Sequence, residues 1–332
     1  MSIIEVSNLV KTYKISQRKS GMIRYIKDLF NPKYKELKAV NGIDFKIDEG
    51  ELVGYIGENG AGKSTTIKML TGLLTPTSGG VIVDGLIPSK NRIENNKKIG
   101  AIFGQKTQLW WDLPVIESFR LIKKMYEIPE EEYRKNLNNF TKLLDLQDLL
   151  DKQVKSLSLG QKMRCEIAAT FLHNPKIVYL DEPTIGLDVL VKEKIRQFIK
   201  DINKEYKTTV ILTTHDVKDI DEVCNRIILI DKGKIIYDGS KENFKDTYGK
   251  NTVANITVRN KNINLLEQAN TESFEIIEET CNFVKVRFNH KETTIMKIMN
   301  EISKFCIVED IHIKEAEIED ILKQLYQGSK ND

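Results

Sequence analysis

The chain has 332 residues, of which 40% are hydrophobic and 30% charged, and its net charge is +3. A length of this order suggests about two domains, and the composition is that of a globular chain able to bury a core, which excludes disordered, collagen-like and membrane-spanning classes. So small a net charge does not by itself point to nucleic acid as a partner.

No run approaches the roughly 18 to 20 apolar residues that a membrane-spanning helix needs. The opening residues 1–10 lack the basic start and apolar segment of a secretory signal, so the chain is expected to stay in the cytoplasm. Its four cysteines, Cys165, Cys224, Cys281 and Cys306, form neither a CxxC pair nor a metal spacing with the four histidines, and are read as free buried thiols.

Taken in chain order, the first unusual stretch is 11–38, where nine Lys/Arg face two acidic residues, Asp28 and Glu36, a local charge of +7. Within an insert at 16–36, Ser20 is placed to cap a helix that Asn31-Pro32 would end, and Met22, Ile23, Ile26, Leu29 and Phe30 fall on one face of it. Apolar strand-like runs follow at 52–56, 177–180, 210–213 and 227–230, alternating with helical stretches such as 64–70 and 191–204. Continuous apolar runs suit strands covered on both faces, so residues 1–240 are expected to form an α/β domain around a largely parallel sheet. A polar helical stretch at 123–151 reads as a subdomain within it.

Between the first of these strands and the helix after it lies Gly57-Glu58-Asn59-Gly60-Ala61-Gly62-Lys63-Ser64, followed by Thr65, which fits the phosphate-binding pattern GxxxxGK(S/T) with both required flanks. Glycines let backbone N–H groups turn inward around phosphates, and the helix start adds its positive dipole end. Lys63 is expected to reach the β and γ phosphates, and Ser64 to offer a hydroxyl to Mg²⁺. The strand at 177–180 runs into Asp181 and Glu182, at the kind of strand end where α/β sheets bind ligands. Asp181 suits a Mg²⁺-organising acid, and Glu182 a base that polarises water for attack on the γ-phosphate.

Beyond Asp238-Gly239-Ser240 the pattern changes to strands at 253–258, 274–277, 283–288 and 308–313 with helices at 265–269 and 293–305. The order βαββαβ predicts a small α+β, ferredoxin-like domain over 241–332, closed by a helix at 318–326.

The phosphate loop, Gln105, the segment Leu157-Ser158-Leu159-Gly160-Gln161, the strand ending in Asp181-Glu182, Gly186-Leu187-Asp188 and His215 stand in the order and spacing of an ABC transporter nucleotide-binding domain. The resemblance covers roughly residues 1–240. It implies a P-loop NTPase of ABC type with a helical subdomain, hydrolysing ATP with Mg²⁺. It further implies a homodimer in which Ser158, Gly160 and Gln161 of one copy close over ATP held by the other, and Asp188 joins the two sites. Ser158 and Gln161 read as a capping box opening a helix at 162–172, although Leu159 stands where the family usually has Gly. By the same resemblance Tyr13 stacks on adenine, Gln105 touches Mg²⁺ and senses the membrane subunit, and His215 contacts the γ-phosphate and orients the attacking water.

The expected setting is the cytoplasmic face of the cell membrane, beside a separate permease and without nucleic acid. The layout resembles ATPases paired with separate exporter permeases, which favours an exporter over an importer, with a regulatory ATPase as a further alternative. Chromosome-maintenance ATPases are disfavoured because Lys63 to Ser158 leaves no room for a long coiled coil. By the same resemblance Trp110 and Trp111 stand in the stretch that receives the permease, while two adjacent tryptophans also suit the core, and both readings stay open. The apolar face of the 16–36 insert has three candidate partners, namely its own domain, the permease and an anionic lipid surface, and its basic flanks favour the membrane side.

Overall fold

The computed structural model describes residues 1–16, 34–104, 106–248, 252–259, 274–289, 292–314 and 318–328. The helix expected within the insert, Gln105 and the short helix expected at 265–269 lie outside these residues. The chain forms two compact units, Met1–Gly239 and Ser240–Asp332.

The first unit opens with two long strands, β1 (Ser2–Ser16) and β2 (Tyr34–Asp48), paired antiparallel from Ser2 opposite Asp48 to Ser16 opposite Tyr34. The two ends of the expected insert, at 16 and 34–36, therefore belong to strands. After β3 (Leu52–Ile56) and α1 (Lys63–Leu70), β4 (Ser78–Val83) pairs with the other edge of β1, making a three-stranded sheet of order β2-β1-β4. Sequence patterning did not reveal this sheet, because register shifts interrupt the alternation of β1, one of them near Asn8, whose φ is 44°.

Next come α2 (Arg92–Lys98) and β5 (Ile99–Phe103), followed by the helical region. The stretch read as helical at 123–151 is divided between α3 (Val115–Met125), α4 (Glu130–Leu143) and a short 3₁₀ turn at Gln147–Leu149. Glu127 with φ 55° and Asp145 with φ 48° end the two helices, and Pro129 starts the second. Proline has no N–H to continue a preceding helix but fits the beginning of a new one. Then follow α5 (Leu159–Phe171), β6 (Ile177–Asp181), α6 (Val189–Tyr206), β7 (Thr209–Thr213), α7 (Val217–Val223), β8 (Arg226–Asp231) and β9 (Lys234–Ser240).

The main sheet has the order β5-β6-β7-β3-β8-β9. Its pairs β5–β6, β6–β7, β7–β3 and β3–β8 are parallel, and β3, β6 and β7 are buried at every position, as their apolar sequences require. In register, Asp181 lies opposite Thr213 and Gly54 opposite Leu212, so β3, β6 and β7 finish on one edge.

The helical region is fastened by aromatic contacts. Phe198 of α6 meets Phe140 of α4 and Phe171 of α5 edge-on, each at 5.3 Å between ring centres. His173 stacks on Tyr126 at 3.9 Å, and its Nε2 lies 3.1 Å from the Ile99 carbonyl. Its Nδ1 is buried with no hydrogen-bond partner, and burial holds its pKa down at about 4.

In the second unit, α8 (Lys241–Tyr248) precedes an antiparallel sheet of order β11-β12-β10-β13, formed by β10 (Thr252–Arg259), β11 (Phe274–Glu279), β12 (Phe283–Phe288) and β13 (Ile307–Lys314). Each outer strand is separated from its chain predecessor by one intervening strand, the split pairing of a ferredoxin-like unit. Ile298 and Ile302 of α9 (Ile295–Ile302) join the sheet's apolar face, where Ala254, Ile256, Val284 and Val286 are fully buried, and α10 (Ile318–Gly328) follows. One expectation is corrected here. Cys281 is exposed, unlike Cys165, Cys224 and Cys306, because it sits in the turn between β11 and β12, where no element covers it.

Two outcomes are expected. Phe198→Ala should remove about 3–5 kcal/mol from unfolding stability in denaturant titrations, since a large fully buried side chain is lost from a three-helix contact. His173 has a folded pKa below its unfolded value of about 6.5, so the stability linked to it is complete above that pH and is lost as pH falls toward about 4. His173→Phe should therefore flatten the decline in melting temperature between pH 7 and pH 4, and an unchanged decline would assign it to other groups.

Candidate active site

The loop between β3 and α1 is shaped by what its glycines leave out. A side chain at Gly57 would place its Cβ 2.2 Å from the Ile230 carbonyl oxygen, and one at Gly62, whose φ is 114°, would come within 2.4 Å of the Ala39 carbonyl oxygen. Backbone at both positions approaches other backbone too closely for any larger residue. Gly60, by contrast, faces open space with φ 86°. Lys63 begins α1, is buried, and donates from Nζ to the carbonyl oxygens of Gly57 at 2.6 Å and Glu58 at 3.1 Å. Burial lowers its pKa, and the nearby carboxylates of Glu182 and Asp181 partly offset that.

Asp181 ends β6 and is buried. Its Oδ1 accepts from Thr213 Oγ1 at 2.5 Å and from Ser64 Oγ at 3.4 Å, which brings the α1 hydroxyl and the strand-end acid together across the sheet. The next residue, Glu182, has the left-handed backbone φ of 57°, and its N–H donates to the Thr213 carbonyl at 2.9 Å. A non-glycine residue held at positive φ is a strained conformation that the surroundings must impose. Here the bend turns the carboxylate away from the strand line toward His215, whose Nε2 lies 2.8 Å from Glu182 Oε1.

A second group surrounds the start of α5. Ser158 Oγ accepts from Gln161 N at 3.3 Å and Gln161 Oε1 from Ser158 N at 3.0 Å, the reciprocal capping box. The helix thus begins at Leu159, three residues earlier than its expected start at 162. Gly160 lies close to Val191 and Asp188, and Leu159 leans on Gly186, which has no side chain and a φ of 74°. Asp188 caps α6 by accepting from Val191 N at 3.0 Å.

Tyr13 lies on β1 opposite Leu37, two residues from Ala39, whose carbonyl faces Gly62. Its ring is 37% exposed, with Lys11 Nζ 5.5 Å from its centre. Trp110 and Trp111 are exposed, which settles against the core reading, and Lys162 Nζ lies 5.4 Å from the Trp111 ring centre.

Comparison with known proteins agrees with this geometry. Residues 40–185 match the family model described as ABC transporter. The ABC transporter ATP-binding protein NatA of Bacillus subtilis is 32% identical over 218 residues, covering 66% of this chain and 88% of that protein. This chain belongs to the ABC transporter ATP-binding proteins. The methionine import ATP-binding protein MetN 2 of Enterococcus faecalis is 30% identical over 314 residues, 92% of this chain and 88% of that one. Among solved structures, the ATP-binding cassette MJ0796, a dimer in a post-hydrolysis state with ADP and Pi, superposes with a TM-score of 0.60 at 29% identity, over 71% of this chain and 98% of that one. Among the described residues no helix is long and apolar enough to cross a membrane.

Several residues that shape this ABC site escaped the sequence reading. Thr213 holds Asp181, and Glu166, buried in α5, accepts from Thr107 Oγ1 and from the Gln108 N–H at 3.2 Å, tying the helix to the segment that carries Trp110. Partners 32 to 59 residues apart leave no spacing signal to find.

Proposed function

We propose that this ATP-binding subunit hydrolyses ATP and thereby drives transport through a separate permease at the cytoplasmic face of the membrane. The observation that carries the reading is the convergence of Lys63, Ser64, Asp181, Glu182 and His215 on one edge of the sheet. The loop 57–62, with Lys63, Ser64 and Thr65, is assigned to the ATP phosphates, and Tyr13 to the adenine. Ser64 and Asp181 offer hard oxygen ligands drawn together by the sheet, which fits the few protein ligands that Mg²⁺ takes. Mg²⁺ bound there would neutralise charge on the β and γ phosphates.

Glu182 is then the group that orients water in line with the γ-phosphate and receives its proton. His215, whose Nε2 lies 2.8 Å from that carboxylate, fixes which way it points. Lys63, itself buried, attracts the phosphoryl oxygens more strongly than an exposed ammonium would. Gln105, assigned by family resemblance, remains part of this proposal as a Mg²⁺ contact and sensor of the permease.

We infer a homodimer in which the N-terminus of α5, with Ser158, Gly160 and Gln161, faces the nucleotide of the second copy. Supporting this, Ile185, Val189 and Leu190 around Asp188 are 44%, 66% and 75% exposed. Such apolar exposure suits a surface that closes on a partner. The exposed pair Trp110-Trp111 suits permease contact in the same way. The second unit is assigned to dimer contact or regulation of this cycle.

Export is the preferred direction because the layout, with Leu159 in the signature, an insert after Tyr13 and a small C-terminal unit, resembles ATPases paired with exporter permeases for drugs, lipids or polysaccharides. Import is the second reading, favoured by the match to MetN 2 across 92% of the chain, which spans both units.

Lys63→Ala is expected to abolish ATP binding, whereas Glu182→Gln should retain binding, dimerise with Mg-ATP and lose turnover by about a hundredfold or more. Phosphate release and light scattering measure the two effects separately. Turnover at the wild-type rate in Glu182→Gln would remove Glu182 from its assigned role.

A further inference from the structure

Behind the site lies a buried carboxylate that the chemistry above does not use. Asp219, in α7, is 1% exposed. Its Oδ2 accepts hydrogen bonds from the hydroxyls of Thr184 and of Thr214, the latter at 2.8 Å, and its Oδ1 accepts from Arg196 Nε at 2.6 Å. The three donors are buried as well. Arg196 divides its remaining donors between Glu222 at 3.1 Å and Asp216 at 3.4 Å, and Asp216 also takes Lys192 Nζ at 2.6 Å.

The identity of these donors gives the cluster its meaning. Thr184 stands two residues after Glu182, and Thr214 immediately precedes His215. Arg196 projects from α6, the helix that Asp188 caps. One side chain thereby holds the three segments that present Glu182, His215 and Asp188. Glu182 needs such support, because its left-handed φ of 57° is a conformation that neighbouring structure has to enforce. Thr214 Oγ1 also accepts from the Asp216 N–H at 2.9 Å, so the turn carrying His215 is fixed from both sides.

We propose that Asp219 is a positioning residue for hydrolysis, setting the Glu182–His215 geometry through Thr184 and Thr214 and linking it to the Asp188 helix through Arg196. This rests on the assignment of Glu182 and His215 to ATP hydrolysis. Asp219 acts at one remove, too buried to meet nucleotide itself. Misplacing a reacting group by a fraction of an ångström to 1 Å costs catalysis far more than binding. Loss of Asp219's bonds should therefore fall on turnover, while the phosphate loop keeps its affinity.

The test uses the full chain and steady-state ATPase kinetics. Thr214→Val removes one hydroxyl donor and preserves shape, and is expected to lower kcat by about tenfold with KM for ATP held within about twofold. Thr214→Ser, which restores the hydroxyl, should recover most of the rate. Asp219→Asn removes the charge opposite Arg196 and should lower kcat by about a hundredfold in protein that still binds ATP. If Asp219→Asn does not fold, the threonine pair alone decides the matter.

Wild-type kcat in Thr214→Val would overturn the proposal. So would a parallel loss of affinity, turnover and melting temperature that Thr214→Ser does not restore, because it would mark the cluster as purely structural. Wild-type protein that binds ATP without turnover would defeat the hydrolysis reading, and this proposal with it. Active wild type beside an unimpaired Thr214→Val would defeat this proposal alone.

Discussion

Parallel strands that finish at the same level are the constraint on which the first unit depends. Because β3, β6 and β7 are neighbours in parallel register, the residues after them emerge side by side although they stand far apart in the chain, at 57, 182 and 214. Gly57 follows β3, Glu182 follows β6 and Thr214 follows β7. A one-residue slip in β6 would invert every side chain along it and bury Glu182 in place of Asp181. Close packing of differently shaped apolar side chains on both faces of these strands resists such a slip, so the hydrophobic core and the precision of the site share one physical origin.

Where chemistry is carried by short contiguous motifs, the site was legible from residues alone. A phosphate loop between a strand and a helix, and a carboxylate pair at a strand end, each bring their geometry with them. The capping box at Ser158 and Gln161 was readable for the same reason, since both partners lie within one helical turn. Legibility ended where one residue acts on another across the fold. Thr213 on Asp181, Glu166 on Gln108 and Asp219 on Thr184 are contacts made by topology, and no local spacing announces them.

The fold itself was readable in proportion to burial. Strands covered on both faces announced themselves as apolar runs, and the four-stranded sheet of the second unit showed through regular alternation, as in Thr252–Arg259, where every second residue is buried. The three-stranded sheet of β1, β2 and β4 was missed because its alternation is broken by register shifts and its exposed positions carry apolar residues such as Ile82 and Leu37. Cys281 was misplaced for the opposite reason. A small apolar residue is usually interior, but a tight turn between two strands offers nothing to cover it.

Leu159 has a quieter consequence. It occupies a position in the 157–161 segment where the family resemblance expects glycine, and its Cδ2 lies beside Gly186, whose φ is 74° and which has no side chain. Any residue larger than glycine at 186 would meet Leu159 Cδ2 at 3.2 Å while also straining its own backbone. The two positions therefore share a single allotment of volume between the signature helix and the loop before α6, so that the choice of residue at one constrains the choice at the other. Glycine at 159 would remove that contact, and a side chain at 186 would push the end of the leucine aside by a few tenths of an ångström while taking up a backbone conformation that side chains rarely adopt.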